Sequence, residues 1–384
     1  MTTDVESKAA NHQTRRQTPQ IRISKKKQLL FAVVLFAVFL LALEGVLRII
    51  GIGADDPSQQ IGSGLYRESN NAVGFEYTPG WEGVHAGATV HINSAGWRGK
   101  EFSPIKPRGT IRILGIGDSF TFGKAVNDNE VFLARLEEML NEDGAGHSEV
   151  LNAGHESIDT AQELEYFKER EMLKLDPDAV VLGFTVSNDA QGKSNRRIYR
   201  SRRREATLAL RVSESGWFRA LSEKSRIAKV LAHGAEAISS KALSKINSEL
   251  ILSNFEDGSE SWETCRKALL GFYETCHQNN VPLILMLFPD YGSDLNQSFK
   301  DYPEDFRRIH EKLKSVLAGK GGAFVVDVVD DLAAAGLTAR QIMVPVDGHP
   351  NRIWHAIVAR RLYDTIKALH LTPAERAVSG SLSR

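Results

Sequence analysis

From residue 29 to residue 43 the chain carries no polar side chain, and apolar character resumes after Glu44 through Val46, Leu47, Ile49 and Ile50. About 20 such residues in a helix cross the ~30 Å hydrocarbon core of a bilayer, so residues 28–50 read as one transmembrane helix. Glu44 and Arg48 stand four apart, which puts them on one helix face, able to pair at the interface where the arginine snorkels. A cleaved signal peptide has a shorter apolar region that ends in a small-x-small site. Gly51-Ile52-Gly53 is only a weak match to such a site, so the segment reads as an uncleaved signal anchor. Residues 1–27 are polar and basic, with Arg15, Arg16, Arg22, Lys25, Lys26 and Lys27. They read as a disordered tail. The positive-inside rule keeps that tail in the cytoplasm and places everything after Gly51 on the periplasmic or extracellular side.

The remainder has the balance of an ordinary globular protein, 42% hydrophobic and 25% charged over 384 residues, which excludes a wholly disordered, collagenous or multi-span chain. Lys plus Arg equals Asp plus Glu at 48 each, so no global polycation exists for nucleic-acid binding. Cys265 and Cys276 fall in one predicted helix, eleven residues or about 16 Å apart. That exceeds the ~7 Å between Cα atoms that a disulfide spans, so no intrachain bridge is expected.

Residues 52–108 are rich in glycine and aromatic residues, and alternate as in Val73-Gly74-Phe75-Glu76-Tyr77 and Ala88-Thr89-Val90-His91-Ile92-Asn93. This region reads as an N-terminal extension with one or two short strands and turns at Pro79-Gly80 and Ala95-Gly96. Beyond it, strands and helices alternate. The segment 111–116 reads as a buried strand, and 149–152, 179–184, 281–288 and 323–329 read as four further strands. Helical spacing appears at 131–141, 160–173, 306–317 and 353–369. Near-continuous apolar strands between amphipathic helices imply a parallel sheet covered on both faces, an α/β fold of three layers over residues 109–370. Residues 190–258 interrupt the pattern with a basic helical insertion in which Lys193, Arg196, Arg197, Arg200, Arg202, Arg203, Arg204 and Arg211 face only Glu205. The insertion reads either as a solvated lid or as a surface that attracts an anionic substrate or lipid headgroup. Residues 371–384 read as a frayed, disordered tail.

Gly115-Ile116-Gly117-Asp118-Ser119-Phe120-Thr121-Phe122-Gly123 stands at the end of the first strand of this unit. Open α/β sheets bind ligands beyond the carboxyl ends of their strands, which makes Ser119 a candidate reacting side chain. At a helix start its backbone N–H faces developing negative charge. A phosphate-cradling loop is excluded, because neither G-x-G-x-x-G nor G-x-x-x-x-G-K-[ST] is present. Just before the last helix, Asp347-Gly348-His349 offers a general base and the carboxylate that orients it. Asp118 reads as a cap or brace of its loop, and His355 as a packing residue. His155 reads as a pocket or surface residue. No metal-ligand spacing accompanies these residues, so neither a metal nor a cofactor is expected.

In order along the chain, Gly117-Asp118-Ser119, Asn152-Ala153-Gly154, Ser187-Asn188-Asp189 and Asp347-Gly348-His349 resemble the blocks of the SGNH hydrolases, the GDSL esterase/lipase family. The resemblance spans about residues 111–369. It implies a flavodoxin-like five-stranded parallel sheet and a Ser119-His349-Asp347 catalytic site, with an oxyanion hole from the N–H groups of Ser119 and Gly154 and the side-chain amide of Asn188. It also suggests that residues 92–99, Ile-Asn-Ser-Ala-Gly-Trp-Arg-Gly, mark membrane-anchored members. Two features depart from the family. A single residue separates Asp347 from His349, where the family usually has two, and this resembles acetyltransferase relatives that modify exopolysaccharides. Gly183 precedes Asn188 by five, so only Asn188 carries over from its block.

The implied function is serine-dependent hydrolysis of O-acyl esters, of esterase or deacetylase type, outside the cytoplasmic membrane. One alternative is O-acetyl transfer to an envelope or exported polysaccharide. Another is non-catalytic binding of envelope glycan. The expected partners are an acyl ester, an acylated polysaccharide or lipid, and the membrane itself, with no nucleic acid.

Overall fold

A computed structural model describes residues 24–53, 64–143, 146–190, 198, 201–203, 205–290, 295–344 and 348–371. Its first element is the helix Lys25–Ile49, capped by Ser24, whose hydroxyl accepts from the Lys27 N–H at 3.5 Å. Lys25, Lys26 and Lys27 therefore form the first helical turn. The expected tail boundary at residue 27 is too late because Ser24 is a competent cap. The helix is long and apolar enough to cross a membrane, and none of its residues is buried against the rest of the chain.

Two antiparallel hairpins follow. Strands β1 (Tyr66–Glu68) and β2 (Phe75–Tyr77) pair, as do β3 (Glu82–His85) and β4 (Ala88–His91). Among its described residues the extension holds four strands, where alternation alone suggested one or two. Strands of three or four residues carry too few alternations to be read individually. The predicted turns are present, with Gly80 at φ 73° and Gly96 at φ 79°.

The main sheet contains β5 (Thr110–Gly117), β6 (His147–Asn152), β7 (Ala179–Thr185), β8 (Leu283–Phe288) and β9 (Ala323–Asp327), all parallel, in the order β6-β5-β7-β8-β9. Counted along the chain within this sheet, the order is 2-1-3-4-5, the flavodoxin-like winding. Its crossover direction reverses between β5 and β7. Every residue of β5, β7 and β8 is buried, as expected for strands covered on both faces. Helices Phe132–Glu142 and Arg352–Ala368 form one covering group, and Thr160–Glu169, Glu260–Gln278 and Glu304–Leu317 the other. The helix expected to reach residue 173 ends at Glu169, and a 3-10 turn over Met172–Leu175 follows. The last strand ends at Asp327, because Val329–Ala334 is already helical.

Cys265 and Cys276 lie buried and free in the helix Glu260–Gln278. The insertion contains helices Leu208–Ser213, Gly216–Ser222 and Arg226–Asn254. Part of its basic run, Lys193, Arg196, Arg197, Arg200 and Arg204, lies outside the described residues, as do residues 1–23 and 372–384. Arg203 is not left facing solvent; it pairs with Glu214 and Glu236 inside the insertion.

Candidate active site

Strand β5 ends against a helical turn, Ser119–Phe122, with only Asp118 between the two. Asp118 caps the turn: its Oδ1 accepts from the Phe120 N–H at 2.9 Å, as read from the sequence. Three glycines let this turn sink onto the sheet. A Cβ at Gly117 would come within 2.2 Å of Thr121 Oγ1, and one at Gly183 would meet the same oxygen at 2.2 Å. A Cβ at Gly154 would fall 2.3 Å from the Phe122 nitrogen. Each contact is shorter than any side chain tolerates, so glycine at these positions seats the serine-bearing turn. Gly183→Ala is expected to cost several kcal/mol, as overpacking does when the neighbour is buried on all sides. Urea titration of the variant measures that loss.

On the opposite side of the site, the loop before Arg352–Ala368 is stapled shut. Asn351 caps that helix through the Ile353 N–H at 2.9 Å, and its amide donates to the Gln341 and Met343 carbonyls at 2.8 and 3.2 Å. Val344 N–H donates to the His349 carbonyl at 2.8 Å, and Gly348 takes a left-handed φ of 79°. The result is a separation of 2.9 Å between His349 Nε2 and Ser119 Oγ, residues 230 positions apart in sequence. Asp347 lies outside the described residues.

The other expected site residues are placed as follows. Asn188 follows β7, next to the winding reversal. Its amide nitrogen donates to Asp118 Oδ2 at 3.1 Å and to the Ile158 carbonyl at 2.8 Å. Burial pushes the Asp118 carboxyl up to about 6, against the hydrogen bonds from Phe120, Thr185 and Asn188 and the nearby His349 ring. Gly154 sits under the turn, and its N–H donates to Asn152 Oδ1 at 3.0 Å. Both N–H donors that the family pattern assigns to Gly154 and Asn188 are therefore engaged within the protein. Among the described residues no partner is seen for the Ser119 N–H. His355 is fully buried, stacked on Phe132 at 6.0 Å, and burial lowers its ring to about 3. It is a core residue, as expected.

His155 is corrected: it is neither exposed nor a pocket residue. Its ring lies in an aromatic box with Phe75 at 4.7 Å, Tyr77 at 5.0 Å and Tyr166 at 5.5 Å, and burial lowers its pKa. The neighbouring Glu156 shows why. Its carboxylate accepts from Tyr66 at 2.8 Å and meets His85 Nε2 at 2.9 Å, while its N–H donates to the Tyr77 hydroxyl at 3.0 Å. The N-terminal hairpins thus clasp the loop that follows β6, an arrangement no local sequence pattern signals. Ser157, next in that loop, holds a left-handed φ of 66°, a conformation usually given to glycine. Its residue type gives no hint of this.

Beneath the turn lies a group of acids that the sequence reading did not single out. Asp189 accepts from the Thr185 N–H at 2.5 Å, and Glu163 is fully buried with no hydrogen-bond partner for either carboxyl oxygen among the described residues. Burial pushes Glu163 well above its ordinary range, and the nearby Asp118 and Asp159 add to the shift. The folded chain then holds a proton that the unfolded chain releases above its ordinary carboxylate pKa, so this group costs more stability as pH rises. Glu163→Gln is expected to gain stability over the parent, by at most about 1.4 kcal/mol per pH unit between pH 5 and 8. Urea midpoints across that range test this, and a gap independent of pH would contradict a neutral Glu163. No group of three or more His, Cys, Asp or Glu side chains among the described residues is arranged to hold a metal ion.

No protein-family model matches this chain, and no curated protein matches it. Similar solved structures are enzymes that act on esters or lipids. An acetyl xylan esterase shares 15% identity over 67% of this chain and 100% of its own, at a TM-score of 0.40. A lipase/acylhydrolase from Enterococcus faecalis shares 18% over 67% and 96%, at 0.34. A GDSL-like lipase from Bacteroides thetaiotaomicron shares 12% over 67% and 88%, at 0.35.

Proposed function

We propose that this chain hydrolyses O-acyl esters, with Ser119 as nucleophile, His349 as general base and Asp347 as the carboxylate that orients the imidazole. The observation that carries this reading is the 2.9 Å contact between Ser119 Oγ and His349 Nε2 at the carboxyl edge of a parallel sheet. His349 takes the hydroxyl proton as Ser119 Oγ bonds to the ester carbonyl carbon. The tetrahedral intermediate then expels the alcohol, which receives that proton, and leaves an acyl-enzyme. Water, deprotonated by the same imidazole, bonds to the acyl carbon. The bond from that carbon to Ser119 Oγ then breaks, the carboxylic acid leaves, and the imidazolium returns its proton to Oγ.

The oxyanion is assigned to the Ser119 N–H, aided by the Asn188 amide once it turns from Asp118 toward the developing charge. Hydrogen bonds of this kind often tighten on substrate only in the bound complex. Gly154 fits a seating role better than a donor role, since its N–H is tied to Asn152. Asn188→Ala is expected to lower kcat by up to about 10²–10³-fold with KM little changed, the upper end being the loss seen when a fully preorganised oxyanion donor is removed. Steady-state kinetics on 4-nitrophenyl acetate read this split.

The helix Lys25–Ile49 is proposed to anchor the chain in the cytoplasmic membrane with the catalytic unit outside, on the strength of the basic residues that precede it. A second reading, acyl transfer to a sugar hydroxyl, is favoured by the single residue between Asp347 and His349. Free acetate measured against acetylated glycan, from one acetyl donor, decides between water and sugar as acceptor.

A further inference from the structure

Helix Lys25–Ile49 contains one acid, Glu44, and its carboxylate is spent on the far-off insertion. Glu44 accepts from the backbone N–H of Arg226 at 3.0 Å and of Ile227 at 3.1 Å, and from Ser225 Oγ at 2.9 Å. These are the first N–H groups of the helix Arg226–Asn254, so Glu44 acts as its second cap. Arg48 pairs with Glu44 at 2.8 Å and donates to the Lys224 carbonyl at 2.7 Å. Arg226 reaches back to the Gly53 carbonyl. A Cβ on Gly53 would touch Lys229 and Val230 at 3.6 Å, so the chain just past the anchor lies against the same helix.

These contacts fix the depth of the insertion's tip. Seventeen residues separate Lys27 from Glu44, about 26 Å along a helix axis, against a hydrocarbon core of about 30 Å. With Lys27 at the inner boundary, Glu44 and the residues bonded to it stand at the outer hydrocarbon boundary, and tilt only carries them deeper. The surface of the tip suits that depth. Trp217 is 65% exposed, Leu221 48% and Leu231 58%, on the short helix Gly216–Ser222 and the second turn of Arg226–Asn254. Arg219, Lys224 and Lys229 are interspersed with them. Tryptophan and leucine beside lysine and arginine is the composition that settles at a lipid headgroup boundary.

We propose that this tip, the helix Gly216–Ser222 with the first turns of Arg226–Asn254, seats in the outer lipid interface of the bilayer that holds Lys25–Ile49. The catalytic sheet is thereby held to the membrane at two points, since Ile251 and Phe255 at the other end of the long helix are buried in the core of the main sheet. The inference rests on Lys25–Ile49 spanning a bilayer and is independent of the ester chemistry.

The test uses the full chain reconstituted in phosphatidylcholine–phosphatidylglycerol vesicles whose acyl chains carry bromine. The expected result is that bromine quenches the Trp217 contribution, taken as the difference between the parent and Trp217→Phe. The paired change Leu221→Glu, Leu231→Glu should lose that quenching while the chain still floats with the vesicles and keeps its circular dichroism. A floating chain whose Trp217 is unquenched overturns the seating and leaves the anchor intact. A chain that does not float overturns both.

Discussion

Ser119→Ala is expected to lower turnover of an activated acetyl ester by about 10⁶-fold, the scale on which loss of a serine nucleophile acts in triad enzymes. His349→Ala should cost a comparable amount, and the double variant should be no worse than either single change. In the proposed mechanism the two groups, with Ser119 Oγ 2.9 Å from His349 Nε2, form one proton-transfer unit, so removing either would leave the other without a task. Neither change should move the unfolding midpoint by much. The turn that bears Ser119 is held by Asp118 and the surrounding glycines, and His349 by the Asn351 staple, so neither side chain carries the fold. Additive losses in the double variant would mean that the two residues do not act together.

Arg98→Met should be the most damaging change to stability, at about 3–5 kcal/mol, the cost of removing one partner from a buried charge network. Arg98 is 3% exposed, and burial pulls its guanidinium pKa down while Asp128 opposes the shift. It pairs with Asp128 at 2.7 Å and donates to the carbonyls of Phe122, Gly123, Val126 and Thr89 at 3.1, 2.6, 2.6 and 3.2 Å. Two of those carbonyls close the Ser119–Phe122 turn, so Arg98 bolts the N-terminal extension to the turn that bears Ser119. Methionine keeps much of the volume but leaves the carbonyls of the buried residues Phe122, Gly123 and Val126 without their donor. A urea midpoint within experimental error of the parent would show the network to be dispensable.

Strands β5, β7 and β8 were legible because each is a short, mostly apolar run buried on both faces. Strands β6, His-Ser-Glu-Val-Leu-Asn, and β9 are only partly buried and carry less of that signal. Ser119 was legible for a related reason: it stands where a strand hands over to a helix, at the edge where parallel sheets present such side chains. His349, by contrast, lies in the loop between the helices Ala339–Ile342 and Arg352–Ala368 and reaches that edge only through tertiary packing. The N-terminal clasp was not legible. Glu156 is an acid beside a glycine loop in sequence, and only the fold supplies His85 and Tyr66, more than 70 residues upstream, to satisfy it. His155 was misread for the same reason, since its burial depends on strands β1 and β2 covering it. The donors at Gly154 and Asn188 carry the expected residue types, but residue type cannot tell which local acceptor an N–H has already found. Glu44 is the clearest case. As sequence it is one acid in an apolar helix, whereas in the fold it caps another helix across more than 180 residues.

The claim that Ser119 is an activated nucleophile can be read directly. The full chain in detergent micelles is treated with a fluorophosphonate probe, digested and analysed by mass spectrometry. One phosphonylated peptide is expected, modified at Ser119, with its formation lost in His349→Ala. An unmodified Ser119 in the parent chain, or labelling that persists undiminished without the imidazole, would contradict that claim.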